Sequence, residues 1–274
     1  MQDSRRRPPR KHRRVRLSQE GAFSGPEKKK TLPTSVRFRE RQRFLEQARS
    51  LVRLPEAGAG PLDYLLPEVR WQGLLRRSSD QAVWLMALSQ ATGVYFFPSR
   101  EWPPRFLRFL RLLKIKRLLE AGAGRGYLTA ALAPLCQGAG LIFRAVDRGD
   151  GEFQSGLPVH PRVERGDVFE AIRDFRPEAV LYAWLPPGQS LVRICQMDFL
   201  HYLIMVGEAG GGATGEPEDW RRLAHRASPS LSRWGRGRTG PERHRVTVFY
   251  GRGRLLETAG QNPRVNCHIN YRGT

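Results

Sequence analysis

The chain has 274 residues, an apolar fraction of 40%, and 47 Lys and Arg against 26 Asp and Glu. This length suits one large domain with an extension, and the composition excludes a chain too polar to build a core. The sequence contains no run of about 18 apolar residues, as a transmembrane helix requires. Residues 1–17 also lack the apolar stretch of a secretory signal. We therefore expect a cytoplasmic protein without a membrane partner.

The cysteines Cys136, Cys195 and Cys267 form no CxxC pair, and the histidines show no metal-ligand spacing. An odd, scattered set of cysteines argues against a disulfide framework and against a structural zinc site. We expect thiols that are buried or free in a reducing compartment, and no metal.

The positive charge is concentrated near the N-terminus. Residues 1–60 carry 17 Lys and Arg against six Asp and Glu, whereas residues 61–274 carry 30 against 20. A basic arm attracts phosphate backbones by counterion release, so RNA is a candidate partner of this arm. The alternative is a solvated tail without a partner. We predict a largely disordered extension over residues 1–60, in which residues 35–54 can form a helix and 55–61 a linker.

Residues 61–114 form a helical segment in our prediction. A Ser/Asp cap opens one helix near residue 80 and Gly93 closes it, while "EWPPRFLRFLRLL" places two prolines in the first turn of a second. We expect this segment to cover the cleft of the domain that follows. The stretch "GVYFFPSREW" between the two helices could line that cleft.

From residue 115 short apolar runs alternate with helical segments, which predicts βαβ units. We predict an α/β fold with a doubly wound, mostly parallel seven-stranded sheet, helices on both faces and an antiparallel C-terminal hairpin. The domain covers residues 115–255, followed by a tail over 256–274. Predicted helices lie near 126–136, 168–174 and 189–199. Predicted strands are 115–120, 141–147, 162–166, 178–184, 201–206, 230–234 and 245–250.

The stretch "LLEAGAGRGYL" follows the first of these strands and places glycines at alternate positions, Gly122, Gly124 and Gly126. Glycine permits backbone angles that other residues resist and lets a ligand lie against the main chain. Exposed N–H groups at a helix N-terminus favour an anionic group. A dinucleotide-binding loop would have its third glycine where this chain has Tyr127, and Glu120 would repel a pyrophosphate.

The segment Glu120-Ala-Gly122-Ala-Gly124-Arg-Gly126 resembles the first motif, (D/E)-x-G-x-G-x-G, of class I S-adenosylmethionine-dependent methyltransferases. The resemblance implies that S-adenosyl-L-methionine (SAM) is the cofactor. It implies that the glycine loop approaches the methionine part and that Glu120 helps to hold the amino group. Asp147, at the end of the second strand, is placed to accept two ribose hydroxyl hydrogen bonds.

In the family, an acid after the third strand receives the adenine amino group and the next residue's N–H meets the ring. Asp167 and Val168 match these positions. Two structural readings stay open, because Asp147 could begin a turn and Asp167 could cap a helix.

The fourth strand ends in Trp184-Leu185-Pro186-Pro187-Gly188. Amino-directed methyltransferases place (N/D/S)-P-P-(Y/F) here, so Leu185 replaces the amide and Gly188 the aromatic. This departure puts a standard base N-methylation site in doubt. The backbone carbonyls of Pro186 and Pro187 could still position an acceptor, with Trp184 as a wall. A glycine-rich loop over residues 207–216, with Glu208 as its acid, could close over a substrate.

The resemblance implies direct transfer of a methyl group to a nucleophile, which needs alignment and exclusion of water rather than an acid–base dyad. Charge favours RNA as the acceptor, and a protein or a small metabolite stays open. Two rival functions remain. One is a methyltransferase fold that has lost catalysis and binds nucleic acid or acts as a scaffold, and the other is a nicotinamide oxidoreductase.

Overall fold

The computed structural model describes residues 34–151, 153–210 and 213–261. Of the extension predicted over residues 1–60, residues 1–33 therefore lie outside the described residues, as does most of the predicted tail over 256–274. Cys136 and Cys195 are free and buried, as expected, and Cys267 lies outside the described residues.

The chain divides into two units, Met1–Arg39 and Glu40–Thr274. In the first unit only the backbone of residues 34–39, the start of a helix, is described. The second unit contains all the strands and every side chain discussed below.

Helices occupy both ends of the described chain and the connections between strands. They are α1 Thr34–Leu51, α2 Glu68–Arg76, α3 Gln81–Thr92, α4 Trp102–Leu112, α5 Thr129–Gly138, α6 Val168–Phe175, α7 Val192–Cys195, α8 Pro217–Arg222, α9 Pro229–Ser232 and α10 Arg252–Gln261.

The strands form two sheets. Their bounds are β1 Phe96–Pro98, β2 Arg117–Ala121, β3 Ile142–Asp147, β4 Val163–Arg165, β5 Ala179–Ala183, β6 Tyr202–Glu208, β7 His225–Ala227, β8 Gly235–Gly237 and β9 His244–Tyr250. The large sheet has seven strands in the order β4-β3-β2-β5-β6-β9-β7. All neighbours from β4 to β6 are parallel, and β9 runs antiparallel to both β6 and β7. The predicted fold class, a doubly wound and mostly parallel seven-stranded sheet, is therefore confirmed.

The central strands are apolar because both of their faces are covered. On one face α4, α5 and α9 bury Phe106, Leu132 and Leu231 against the sheet. On the other face α6 and α7 bury Ile172 and Ile194. A third cluster joins the end of α1, α2 and α3 to the start of α5. The central part of the sheet is thus a middle layer between helices.

The helix signals before the sheet are confirmed. The carboxylate of Asp80 accepts a hydrogen bond from the Val83 N–H, and Gly93 ends α3 in the left-handed conformation at φ 66°. Helix α4 has its prolines in the first turn, as expected. Helix α5 begins at Thr129, three residues later than predicted, because the glycine loop extends through Tyr127 before the helix starts.

The predicted strand 230–234 is wrong. Pro229 opens the short helix α9 instead, and the Ser228 carbonyl accepts hydrogen bonds from the N–H and the hydroxyl of Ser232. The outer strand of the hairpin is β7, whose three residues His225, Arg226 and Ala227 are all exposed. An edge strand without an apolar face leaves no periodic signal, which is why the sequence pattern missed it.

Two other differences concern elements near the site. The helix predicted over 189–199 shrinks to Val192–Cys195, because the Leu191 N–H is bound by the carboxylate of Asp219 and residues 197–200 form a turn. The small antiparallel sheet of β1 and β8 was not predicted. It places Phe96 beside the glycines of β8, where a Cβ at Gly235 would collide with the Phe96 ring.

Candidate active site at the carboxyl edge of the sheet

The glycine loop connects β2 to α5 and needs glycine at each alternate position. Gly122, Gly124 and Gly126 have φ of 62°, 58° and 79°, in the left-handed region that side chains resist. A Cβ at Gly122 would lie 2.8 Å from the Tyr182 ring, and one at Gly124 2.7 Å from the Gln154 amide. One at Gly126 would lie 2.6 Å from Val163 Cγ2. The loop therefore combines a fixed backbone shape with close packing on three sides.

Glu120 is the last carboxylate on β2 before this loop and is 2% exposed. Its Oε2 accepts a hydrogen bond from the Thr129 hydroxyl at 2.8 Å, which ties it to the first residue of α5. Burial raises the pKa of Glu120 to about 8, against a lowering by the Thr129 hydrogen bond and a further raising by Asp147. A buried carboxyl whose pKa is raised this far is matched to a cationic partner, which would restore its charge.

Asp147 ends β3 beside the loop. Its Oδ2 accepts a hydrogen bond from the Gly124 N–H at 2.8 Å, and its Oδ1 accepts one from the Gly149 N–H at 2.6 Å. The structure thus places Asp147 against the glycine loop and gives it the turn-forming role that the sequence left open. Each carboxylate oxygen has a further lone pair with which to accept a hydroxyl.

Asp167 and Val168 follow β4 at the start of α6. Asp167 caps this helix, since its Oδ1 accepts hydrogen bonds from the Phe169 and Glu170 N–H groups at 2.8 and 3.0 Å. The prediction that Asp167 caps a helix is therefore confirmed for Oδ1, while Oδ2 takes no part in either bond. Val168 is the first helical residue, so its N–H has no acceptor within the helix.

Two cavities lie along this edge of the sheet. The first, of about 50 Å³, is lined by Glu120, the loop from Gly122 to Arg125, Tyr95, Phe96 and Gln154, among others. The second, of about 280 Å³, is lined by Asp167, Val168 and Tyr182, among others. Because small-molecule sites measure about 300–1,000 Å³, the first cavity is too small for a ligand of that size as the side chains lie in this structure.

Three residues of this edge escaped the sequence analysis. Arg125 donates hydrogen bonds to the carbonyls of Thr92 and Pro158 and lines the first cavity. Gln154 covers Gly124, and Tyr182 lies under Gly122. Arg125 stands inside the glycine motif, but nothing in the sequence marks Gln154 or Tyr182 as neighbours of the loop.

Tyr127 occupies the position that a dinucleotide-binding loop reserves for glycine. It is 4% exposed and packs edge-to-face on Tyr64 with ring centroids 5.2 Å apart. The Tyr64 hydroxyl donates a hydrogen bond to the Tyr127 carbonyl. A large side chain is thus built into the core here, which argues against a dinucleotide pyrophosphate on this loop.

The end of β5 differs from the predicted acceptor site. Trp184 is 6% exposed and lies in the apolar cluster with Phe96. A Cβ at Gly237 would collide with the Trp184 ring. The backbone of Trp184 is in the left-handed region, with a φ of 63°. Pro186 and Pro187 are exposed. Ala183 reaches the first cavity, whereas Trp184 and the two prolines are not among the residues that line it.

The loop over residues 207–216 is tied down on both sides of its two undescribed residues. The Glu208 carboxylate accepts a hydrogen bond from the Ala213 N–H at 3.2 Å, and the Glu208 carbonyl accepts one from the Thr214 hydroxyl at 2.7 Å. Pro187 forms a β-bridge with Gly215. The two segments predicted to face an acceptor therefore contact each other.

The reversed direction of β9 agrees with the predicted antiparallel pairing near the C-terminus, and the glycine loop follows β2, the first strand of the large sheet. The fold is therefore a doubly wound α/β fold with one antiparallel strand inside the sheet. Within the residues that the structure describes, no group of three or more His, Cys, Asp or Glu could hold a metal ion. No described helix is long and apolar enough to span a membrane.

Solved structures similar to this chain include methyltransferases of several kinds. Human N-acetylserotonin methyltransferase in complex with SAM is 11% identical over 80% of this chain and 67% of that chain, with a TM-score of 0.37. The methyltransferase domain of bacterial CtHen1 is 12% identical over 54% and 96%, with a TM-score of 0.32. The carbon methyltransferase CurJ is 11% identical over 78% and 71%, with a TM-score of 0.35. No protein-family profile and no curated protein sequence matches the chain.

Proposed function

We propose that the chain is an enzyme that binds SAM and transfers its methyl group to a nucleophile. One observation carries this proposal. The neighbouring parallel strands β2, β3 and β4 bring Glu120, Asp147 and Asp167 to one edge of the sheet, and the loop that follows β2 has three left-handed glycines. In open α/β sheets, ligands bind in the crevice at the carboxyl ends of the strands.

The donor and acceptor groups at this edge fit the parts of SAM in order. The buried Glu120 carboxyl suits the amino group, and the Asp147 carboxylate suits the two ribose hydroxyls. Asp167 Oδ2 and the Val168 N–H suit the adenine. Because Gln154 covers Gly124, we infer that the cofactor enters by displacing this side chain.

When bound, SAM supplies an electrophilic methyl group on a sulfonium, so the chain needs no general acid or base of its own to activate the donor. The task of the residues at this edge is to align the methyl group with the acceptor and to keep water out. Tyr95, Phe96 and Ala183 border the first cavity and supply an apolar wall for this purpose.

We propose RNA as the acceptor, and the support for it is charge: Lys and Arg outnumber Asp and Glu by 21 over the chain. A polynucleotide is the acceptor class that such an excess attracts. The acceptor atom stays undetermined, since Leu185 and Gly188 replace the two residues with which amino-directed members hold a base.

A fold that binds SAM without turnover is the second candidate, and one observation favours it. The Trp184 ring is packed in the core, and Pro186 and Pro187 lie outside the cavity lining. A protein of this kind would bind SAM and nucleic acid but release no S-adenosylhomocysteine in the presence of RNA.

The test is calorimetric titration of SAM and S-adenosylhomocysteine into the wild type, Asp147→Ala and Asp150→Ala. Asp150 is the matched control, because it is an exposed acid three residues further on and pairs with Arg148 at 3.3 Å. We expect binding that Asp147→Ala weakens at least tenfold, about 1.4 kcal/mol, and that Asp150→Ala leaves within twofold. Binding of a nicotinamide dinucleotide in place of SAM would favour the oxidoreductase, and equal losses in both variants would contradict the assigned role of Asp147.

A further inference from the structure

The positive charge of residues 61–274 is unevenly spread. This region has 30 Lys and Arg against 20 Asp and Glu. Two segments within it, 102–119 and 223–241, contain ten Lys and Arg and no Asp or Glu. The rest of the region therefore has 20 of each sign, and its whole positive excess lies in these two segments.

The two segments meet in the fold. The first contains α4 and the second contains α9, and these two helices are in contact. The Arg105 guanidinium lies 4.0 Å from the centroid of the Trp234 ring, which joins the start of α4 to the end of α9. Contacts of this kind leave the guanidinium charge in place while they fix its position.

Helix α4 turns its basic residues outward. Arg105, Arg108 and Arg111 are exposed and follow each other at a spacing of three, whereas Phe106 and Leu110 are fully buried against the sheet. Residues three apart are neighbours on a helix surface, so the three guanidinium groups form a short row. Three like charges in a row cost stability, and the segment 102–119 contains no acidic residue to compensate them.

A groove of about 450 Å³ borders the same helix. Its aromatic lining consists of Phe109, Tyr202 and Tyr250, and its basic lining of Arg226 and Arg254. The remaining lining residues are Leu113, Ala227, Ser228, Pro229, Ser230 and Val248. Phe109 and Leu113 follow Arg105 at intervals of four residues, so they lie on the same side of α4 as Arg105.

The groove lies at the end of the sheet opposite to the candidate active site. Tyr202 is the first residue of β6 and pairs with Tyr250, the last residue of the antiparallel β9. Glu120 and the glycine loop lie at the carboxyl edge instead. A ligand of this groove would therefore not compete with a ligand at the glycine loop.

We name this groove the α4 groove. We propose that the arginine row of α4 and the α4 groove together form a binding surface for single-stranded nucleic acid. The row of arginines holds successive phosphates, and the partly exposed Phe109 and Tyr250 offer rings on which unpaired bases stack. Aromatic side chains beside a positively charged track are the combination that binds single strands without sequence preference. This surface acts in addition to methyl transfer and does not depend on it, although it gives the proposed RNA acceptor a second point of attachment.

The test measures fluorescence anisotropy of a labelled oligouridylate of about 20 nucleotides with the full-length chain, without SAM, over a series of salt concentrations. The triple variant Arg105→Gln, Arg108→Gln, Arg111→Gln removes the row. Its matched control removes three exposed arginines in and beside α2, through Arg70→Gln, Arg76→Gln and Arg77→Gln. Both variants keep the N-terminal arm and have the same net charge.

We expect the α4 triple variant to flatten the slope of log K against log salt by about 2, because each lost phosphate contact on a single strand contributes about 0.7. The α2 triple variant keeps the wild-type slope. Tyr250→Leu lowers affinity about fivefold or more through lost stacking and leaves the slope unchanged. Equal losses in the two triple variants would overturn the proposal, because net charge or the arm alone would then explain binding.

A competition experiment distinguishes a nucleic acid from an acidic protein as the ligand of this surface. Polyglutamate of equal charge competes poorly with the oligouridylate if bases stack in the α4 groove. Competition as strong as that of unlabelled oligouridylate would overturn the proposal in favour of an acidic peptide. Because SAM is absent throughout, failure here leaves the proposed methyl transfer untouched, and failure to bind SAM leaves this result untouched.

Discussion

The two ends of the cleft differ in how their residues are held. At the glycine-loop end, Asp147 binds the Gly124 N–H, Glu120 binds Thr129 and Asp167 caps α6, and the backbone supplies much of the geometry. At the β5 end, Trp184 turns into the core, and Pro186 and Pro187 lie outside the cavity lining. A site built on backbone shape can be recognised from short motifs, whereas one built on side-chain packing depends on what the rest of the chain brings to it.

The strongest perturbation of the glycine-loop end acts through its backbone. Gly126→Ala places a methyl group 2.6 Å from Val163 and 2.7 Å from His160 at a φ of 79°. We expect a loss of about 3 to 5 kcal/mol of unfolding free energy from strain and overpacking, together with loss of SAM binding. Denaturant unfolding and calorimetry measure the two effects.

Gly140→Ala is the matched control for this substitution. Gly140 has a similar φ of 72°, but a Cβ there meets no atom within 4 Å. We expect a loss of only about 1 to 2 kcal/mol, the cost of the left-handed conformation alone. Equal losses of unfolding free energy in both variants would show that the left-handed backbone conformation, and not packing against Val163, is the reason why position 126 requires glycine.

The next prediction concerns Glu120, the buried carboxyl group of the same end. The folded-state pKa of Glu120, about 8, exceeds that of an unfolded glutamate, so the folded chain binds the proton more tightly. Unfolding free energy therefore falls as pH rises between about 4.3 and 8. Glu120→Gln keeps an acceptor for Thr129 and removes this slope, which leaves the variant about 2 kcal/mol or more above the wild type at pH 8.

Thermal melts at pH 6 and pH 8 check this prediction, and calorimetry then shows whether the more stable variant binds SAM more weakly. Glu164→Gln serves as the control, since Glu164 is an exposed partner of Arg144. Parallel pH profiles for wild type and Glu120→Gln would contradict the raised pKa.

A third prediction concerns His244, a buried histidine at the start of β9. Its stacking partner Phe96 belongs to the same apolar cluster as Trp184. His244 is 1% exposed, stacks on Phe96 with centroids 5.3 Å apart, and has no hydrogen-bond partner for either ring nitrogen among the described residues. Burial, with added repulsion from Arg236 and Arg245, lowers its pKa to about 3. Protonation therefore favours the unfolded chain, and unfolding free energy falls as pH drops below about 6.5.

His244→Phe removes this proton-linked loss and two unpaired nitrogens. We expect the variant to gain about 1 to 3 kcal/mol and to lose stability less steeply than the wild type between pH 6.5 and 4. The exposed His225 provides a control through His225→Gln. Acid unfolding curves of the wild type and of His244→Phe measure this difference. A variant that is as acid-sensitive as the wild type would show that His244 is not buried in its neutral form.

The mildest substitution tests whether Trp184 belongs to the site at all. Trp184→Phe keeps an aromatic ring in the core and removes an indole N–H that has no partner among the described residues. We expect a change of about 1 kcal/mol in unfolding free energy and unchanged affinity for SAM. Reduced methyl transfer with unchanged SAM affinity would assign Trp184 to the acceptor, and a loss of SAM affinity would join the two ends of the cleft into one site.

Short-range patterns in the chain were enough to predict the alternation of strands and helices, the glycine loop and the carboxylates that follow β2, β3 and β4 along one edge of the sheet. These features depend on residues close together in the chain: Asp80 and Gly93 fix the ends of α3, and the loop glycines permit a backbone that other residues resist. Glu120 and Asp147 reach one edge because parallel strands align their carboxyl ends, so the motifs indicated their approximate positions without coordinates.

Long-range packing determines what lies across the cleft. The β1–β8 sheet, the closure of Gly124 by Gln154 and the burial of Trp184 join residues far apart in the chain, and no local pattern records such contacts. The edge strand β7 was missed because it buries no apolar face, and 230–234 became a helix because Pro229 fits a first helical turn. Side-chain packing is a property of pairs of distant residues, and only the folded chain specifies those pairs.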